Sequence, residues 1–356
     1  MERILAINPG ATSTQVAVFE GTTFLLKKTV EHQGPELQEF TRVFDQYKYR
    51  LDLVLTVLAE AGIELGTLKA VVTQGGILKP LPGGTYIVND AMIDELRTAE
   101  RGEHAFNLGA AIAGAITKQL GIPAYIVDPM VLDELEPVAR ISGAPDLVRT
   151  STTCHALSMR AVARKVAGEM GKKYTDVRFV VAHLGTGISL SAQRDGRLVE
   201  IVDCMDEGPF APNRCGGLPA SQLVKLCFSG KYTYEELRTR LFDAGGFYAY
   251  LGTKDIREAE KMAARGNQKA ELLLQALIYQ VAQAIGSLAV VLDGNVDRII
   301  ITGGIAYSQR VVNEITAKIK FIAPIVVVPG EEELAALASG ALRVLRGEEK
   351  AKTYQN

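Results

Sequence analysis

The chain begins with an apolar run, Ile4-Leu5-Ala6-Ile7, then a cluster of Asn, Pro, Gly and hydroxyl residues from Asn8 to Ser13, then an alternating stretch to Phe19. Alternation of period two predicts a half-buried strand, and the polar cluster predicts a turn. Strands are therefore expected at 3–8, 14–20 and 23–30, with a turn at 9–13. The same grammar returns in FVVAHLGTGISLSA, residues 179–192. There it predicts strands at 177–183, 188–194 and 197–203 around a turn at 185–187. Asn8 aligns with His183 and Gly10 with Gly185, each pair 175 positions apart. An echo at about one domain's spacing implies two related halves.

Between and after these stretches the pattern alternates helix and strand. Helical periodicity covers 36–61, closing on Gly62, and then about 90–101 and 105–120. Strands are expected at 68–73 and 124–128, and Pro and Gly mark 78–88 as loop. In the second half, helices are expected at about 155–170, 219–228, 233–241, 254–265 and 268–292. Strand 298–302, helix 306–319, strand 325–328 and helix 331–346 follow, and the polar tail 347–356 is expected to fray. This alternation is that of an α/β protein. The expected domains are 1–153 plus 331–356, and 154–330.

Composition narrows the function classes. Of 356 residues, 47% are hydrophobic, enough for two sizeable cores, and 39 basic residues nearly balance 41 acidic ones. Such a balance carries no nucleic-acid or membrane-surface footprint. The first apolar run is too short for a signal peptide. No uninterrupted apolar run reaches the roughly 18 residues of a membrane span. The helix expected at 268–292 carries Lys269, Glu271, Gln275, Gln280 and Gln283 and reads as a core helix. Four cysteines, none in a C-x-x-C pair, are too few for a disulfide scaffold and read as reduced thiols of a cytoplasmic protein.

The two echoed turns are the first chemical candidates. Glycine lets backbone N–H groups approach an anion closely, and hydroxyls add donors. Asn8, Gly10, Thr12 and Ser13 form one such turn, and His183, Leu184, Gly185, Thr186 and Gly187 the other. Either could be a structural hairpin turn; two facing each other would make a nucleotide cleft. A third turn, Gly303-Gly304-Ile305, follows a buried-looking strand. Asp128 ends a strand, where open α/β sheets place ligands, though it could equally cap a helix. Of four histidines, His104, His155 and His183 adjoin Gly, hydroxyl or acidic motifs, whereas His32 reads as solvated surface. Arg214, in a Pro/Gly-rich loop, could clamp a carboxylate or a transferring phosphoryl group, or lie on the surface. Glu331-Glu332-Glu333 suits a helix N-terminus electrostatically or a Mg²⁺ ion.

In number and order these pieces resemble the acetate and butyrate kinase family, within the superfamily of actin, hexokinase and Hsp70-type ATPases. The resemblance covers nearly the whole chain. It is carried by INPGATST (7–14), YIVD (125–128), CHALS (154–158), HLGTG (183–187), PNRCGG (212–217), KDIR (254–257), TGGIA (302–306) and EEEL (331–334). LKPLPGGTY (78–86), GEHAFNLG (102–109) and ARISG (139–143) are similar to the butyrate rather than the acetate branch. The resemblance implies two related domains of the actin/hexokinase/Hsp70 type, a duplicated ribonuclease H-like motif, around a nucleotide cleft. It implies reversible transfer of a phosphoryl group from ATP to butyrate, giving butyryl phosphate and ADP, with Mg²⁺. Asp128, His155 and Arg214 would be catalytic. Asn8, Gly10, Thr12 and Ser13 would serve the transferring phosphate, and His183, Leu184, Gly185, Thr186 and Gly187 the β-phosphate. Asp255, Arg257, Gly303, Gly304 and Ile305 would hold the nucleoside. Asn8 and Glu332 would face the metal, and Gln74, Gly75 and His104 the acid. It also implies a homo-oligomer, at least a dimer, whose partners are a small carboxylic acid and a nucleotide.

Two positions depart from the family pattern. Gln15 stands where the first hairpin often ends in Lys, and Gln74 where butyrate kinases usually carry Arg. Alternatives are a kinase for isobutyrate, acetate or another short acid, a kinase acting on a hydroxyl group, and an actin- or Hsp70-like ATPase with a conformational output.

Overall fold

The computed structural model describes residues 2–150 and 154–355. Its contacts divide the chain into two compact units, Met1–Asp133 with Glu332–Asn356, and Glu134–Glu331. The parting expected at residue 153 lies outside the described residues, and 134–150 belong with the second unit.

The strands are β1 (Arg3–Pro9), β2 (Ser13–Glu20), β3 (Thr23–Glu31), β4 (Ala70–Thr73), β5 (Thr85–Ile87), β6 (Ala124–Val127), β7 (Phe179–Leu184), β8 (Ile188–Arg194), β9 (Arg197–Val202), β10 (Arg298–Gly303), β11 (Ile325–Pro329) and β12 (Lys352–Thr353). The first unit's sheet runs β12-β5-β6-β4-β1-β2-β3 and the second's β11-β10-β7-β8-β9. In the first, β1-β2-β3 is an antiparallel meander with β4 parallel to β1 and β6 parallel to β4. In the second, β7-β8-β9 is the meander, β10 lies parallel to β7 and β11 parallel to β10. Order and direction thus repeat over five strands. Asn8 and His183 occupy matching places near the ends of β1 and β7.

The continuous apolar run of β1 has a physical cause. Leu5 and Ile7 share a buried cluster with Leu108 and Ile112 of the helix Asn107–Leu120. The helix Glu333–Leu345 also packs on β1. A strand covered on both faces loses its alternation. In the second unit the helix Gln268–Val291 is long and apolar enough to cross a membrane by length and composition. Here Leu273, Leu277, Val281, Ile285 and Leu288 pack into the core at helical spacing. Asn267 caps its start by accepting from Lys269 and Ala270 N–H groups.

Three expectations are corrected. The helix expected at 36–61 is a short helix Gly34–Gln38, a 3₁₀ turn Val43–Gln46 and a helix Tyr47–Glu60. Glu103 accepts from Val43 N and from the Arg42 guanidinium, so a distant carboxylate restarts the chain there. The segment 78–88 contains β5, which pairs antiparallel with β6. The tail is docked: β12 pairs with β5, Tyr354 is 2% exposed, and Asn89 donates to its carbonyl at 2.8 Å.

Candidate active site

In the second unit, β7 and β10 deliver two glycine turns side by side. Gly185 N–H donates to Gly187 O at 3.0 Å, closing the turn between β7 and β8. Gly303 has φ +90°, and a Cβ there would lie 2.5 Å from Leu184 O. Only glycine allows the two backbones to approach this closely. These turns and the helix Ile256–Ala264 line a cavity of about 1320 Å³. Gly185, Thr186, Asp255, Arg257, Gly304 and Ile305 are on its wall. His183, Leu184 and Gly187 lie buried beneath it. Asp255 caps the helix by accepting from Arg257 N at 2.9 Å and pairs with the Arg257 guanidinium at 2.7 Å.

His155 stands at the start of the helix Ala156–Glu169 and stacks on His183, centroids 4.1 Å apart and rings 12° from parallel. His183 is fully buried, and its Nε2–H donates to Glu331 Oε1 at 2.8 Å. That hydrogen bond holds the Glu331 carboxyl below its usual range. Burial, reinforced by His183 and Arg214, pushes His155 well below the ordinary histidine range, so the ring is neutral. Its Nδ1 meets Ser189 Oγ at 2.9 Å. Arg214 Nη1 donates to the Cys204 sulfur. Burial pushes the Cys204 thiol up, so it keeps its proton at neutral pH. A Cβ on Gly187 would overlap the Arg214 guanidinium.

The Arg214 loop is pinned by its backbone. Ala211 N donates to Arg214 O, Cys215 N to Leu241 O and Gly245 N to Asn213 O, each at 2.9 Å. Arg214 Nε is buried without a partner, and no ion pair involves Arg214 among the described residues. Ser189, Cys204 and Glu331's grip on His183 had no signal in the sequence beyond position, since a hydroxyl or thiol in a strand reads as packing.

In the first unit, Asn8 is buried near the end of β1; its Nδ2 donates to Glu333 Oε2 at 2.6 Å and its Oδ1 has no partner among the described residues. Gly10 N donates to Ser13 O at 2.7 Å, with Thr12 exposed at the tip. Behind this turn lies a cation that the sequence reading missed. Arg50, 1% exposed, donates to Gly10 O at 2.7 Å and to Thr14 Oγ1 at 3.1 Å. Burial brings its pKa down to about 10. His32 is buried, not solvated, bonding Thr14 Oγ1 at 2.8 Å.

Asp128 follows β6 with φ +39° and accepts from Gly84 N at 2.7 Å. No helix begins there, which excludes the cap reading. A non-glycine residue held at positive φ marks a strained position of the kind that clusters at functional sites. Gln74 is buried beyond the end of β4, its Oε1 without a partner among the described residues. Gly75 is wedged against Pro129, where a Cβ would sit 2.8 Å from Pro129 Cβ. His104 accepts from Phe106 N at 3.2 Å and sets its ring edge-on to Phe106. Burial lowers its pKa. Of the three consecutive glutamates, Glu331 reaches His183 and Glu333 reaches Asn8, while Glu332 is exposed. Among the described residues no group of three or more His, Cys, Asp or Glu side chains could hold a metal ion.

Residues 147–335 match the sequence pattern of the acetokinase family. The chain is 49% identical to Butyrate kinase 1 of Clostridium acetobutylicum over 356 residues, all of both chains. It is 46% identical to Butyrate kinase 2 of that organism over 354 residues, 99% of each. Among solved structures, the acetate kinase of Porphyromonas gingivalis superposes with a TM-score of 0.80 at 17% identity, covering 97% of this chain and 100% of that one. A propionate kinase from Francisella tularensis gives 0.74 at 17%, covering 95% and 98%. At that identity the two structures bear on fold alone: the duplicated α/β architecture of the actin/hexokinase/Hsp70 type.

Proposed function

The chain belongs to the acetokinase family, and from that premise we infer that it moves a phosphoryl group between ATP and the carboxylate of butyrate, reversibly and in line. It is a carboxyl-group phosphotransferase acting on short-chain acids. One arrangement supports the reading most directly: a nucleotide-sized cavity bordered by two glycine turns, in the same unit as a neutral His155 held by Ser189 and an Arg214 that makes no ion pair among the described residues.

A carboxylate is a nucleophile at neutral pH, so the reaction needs no strong base. It needs alignment and neutralisation of charge on the transferring group. Arg214 and the His155 ring supply donors for the equatorial phosphoryl oxygens. The turn from His183 to Gly187 holds the β-phosphate through backbone N–H groups. Asp255, Arg257 and the turn Gly303-Gly304-Ile305 hold the nucleoside. Asn8, Gly10, Thr12 and Ser13 receive the transferring phosphate, and Asp128 orients the acceptor side. The residues suit Mg²⁺: Asn8 offers a buried carbonyl oxygen with no partner among the described residues and Glu332 an exposed carboxylate, both hard oxygen donors. Few protein ligands are the norm for Mg²⁺, which keeps its waters and binds through substrate phosphates. When bound it would offset phosphate charge.

The direct test combines purified protein, butyrate, Mg-ATP and hydroxylamine. Acid-dependent hydroxamate is expected. Its absence with every C2–C6 acid would overturn the reading, and acid-independent ATP hydrolysis would point to a non-metabolic ATPase. Gln74 gives a second expectation. An arginine there would add a charge-assisted bond to the acid, so Gln74→Arg should lower the KM for butyrate by about tenfold, roughly 1.5 kcal/mol. An unchanged or higher KM in the same kinetic panel counts against Gln74 lying on the acid side.

A further inference from the structure

We propose that Ser189 is a positioning residue: its hydrogen bond fixes the His155 ring proton on Nε2, leaving that N–H to donate to the transferring phosphoryl group. The inference rests on the reading of His155 as a phosphoryl-facing group and adds what sets its state.

A neutral imidazole has one N–H, and which nitrogen bears it is decided by the partner of the other. His155 Nδ1 has Ser189 Oγ at 2.9 Å. Were the proton on Nδ1, Nε2 would present a lone pair to a phosphate oxygen, which repels. With the proton on Nε2, Nδ1 must accept, and the Ser189 hydroxyl is the donor in place. That hydrogen bond sets the ring. Ser189 is fully buried, so bulk water does not compete for its hydroxyl. The stacked His183, tethered by Glu331, holds the ring face, so the imidazole is fixed in plane and in tautomer together.

The test needs no variant to begin. With the full chain labelled with ¹⁵N at its four histidines, two-bond ¹H–¹⁵N correlations report each tautomer, and the His155 signals are identified by their loss in His155→Gln. Nε2-protonated His155 is expected at neutral pH. In Ser189→Ala the population should move toward Nδ1–H, with kcat lowered by about 10- to 100-fold and both KM values within about threefold. Ser189→Thr, which keeps the hydroxyl, should recover most of that loss. A loss due only to a packing defect would not shift the tautomer. Nδ1-protonated His155 in the unaltered protein overturns the inference, as does a Ser189→Ala protein with unchanged tautomer and kcat. If His155→Gln leaves kcat unchanged, the phosphoryl role of His155 fails instead, and the tautomer result still stands or falls by itself.

Discussion

Arg214→Ala should lower kcat by about 10²–10³-fold, the cost of losing one donor to charge that develops in the transition state. The expectation comes from what surrounds the guanidinium. It is held by a neutral thiol, its Nε is buried without a partner, and no carboxylate pairs with it among the described residues. A cation kept partly buried without a counter-charge is costly unless a ligand supplies the anion. In the resting protein that charge is unspent, and a phosphoryl group with three equatorial oxygens is a fitting recipient. Since the charge matters most while the group is in transit, KM for ATP should change far less than kcat. Arg214→Lys should recover little. An ammonium keeps the charge but lacks the planar fork that can touch the thiol and a phosphoryl oxygen at once. Steady-state kinetics in both directions check this. A loss confined to KM, or a fall in kcat below about tenfold, would remove Arg214 from the phosphoryl site.

The parts of this site that could be read in the sequence are those whose function and local structure coincide. Glycine turns after apolar runs have to look as they do, because a strand covered on both faces is continuously apolar and a close backbone approach excludes a Cβ. Asn8, His183, Gly185 and Gly303 were visible for that reason, and so was the duplication. Residues that act through distant contacts were not. Arg50 lies within a helix, and only tertiary packing turns it under a turn 40 positions earlier. Ser189 and Cys204 are polar residues in and just after strands, which pattern alone assigns to packing. The three glutamates at 331–333 are the sharpest case. Their order says that a helix begins, but not that Glu331 bonds His183 in the second unit and Glu333 bonds Asn8 in the first. The tail misled because its composition is polar. One aromatic residue, Tyr354, and two ladder residues dock it against β5.

Gly303→Ala should destabilise the second unit by about 3 kcal/mol or more, from two causes that add. An alanine at φ +90° is strained by roughly 1–3 kcal/mol. Its Cβ would also lie 2.5 Å from Leu184 O, 2.7 Å from its carbonyl carbon and 2.8 Å from its nitrogen. Those are backbone atoms at the end of β7, and β7 is tied to β10 by the ladder that pairs His183 with Thr302. Neither strand can yield without opening that ladder. Gly303 also exchanges backbone hydrogen bonds with Gly330, at 3.3 and 3.0 Å, so displacement on that side would break them. For a unit of this size about 3 kcal/mol corresponds to roughly 6–12 °C in the unfolding transition. Any folded fraction should bind nucleotide poorly, since Leu184 leads directly into the Gly185 turn on the cavity wall. KM for ATP should rise by about tenfold or more, because an ångström of misplacement weakens every contact the turn makes. Gly304→Ala separates the two causes. A Cβ at Gly304 meets nothing within 4 Å, so that variant should unfold within about 1 kcal/mol of the parent. Its residue borders the cavity, so a raised KM for ATP in a normally stable Gly304→Ala protein would report ligand contact alone. Equal stability for the two alanine variants would mean that β7 and β10 do not approach as closely as Gly303 requires.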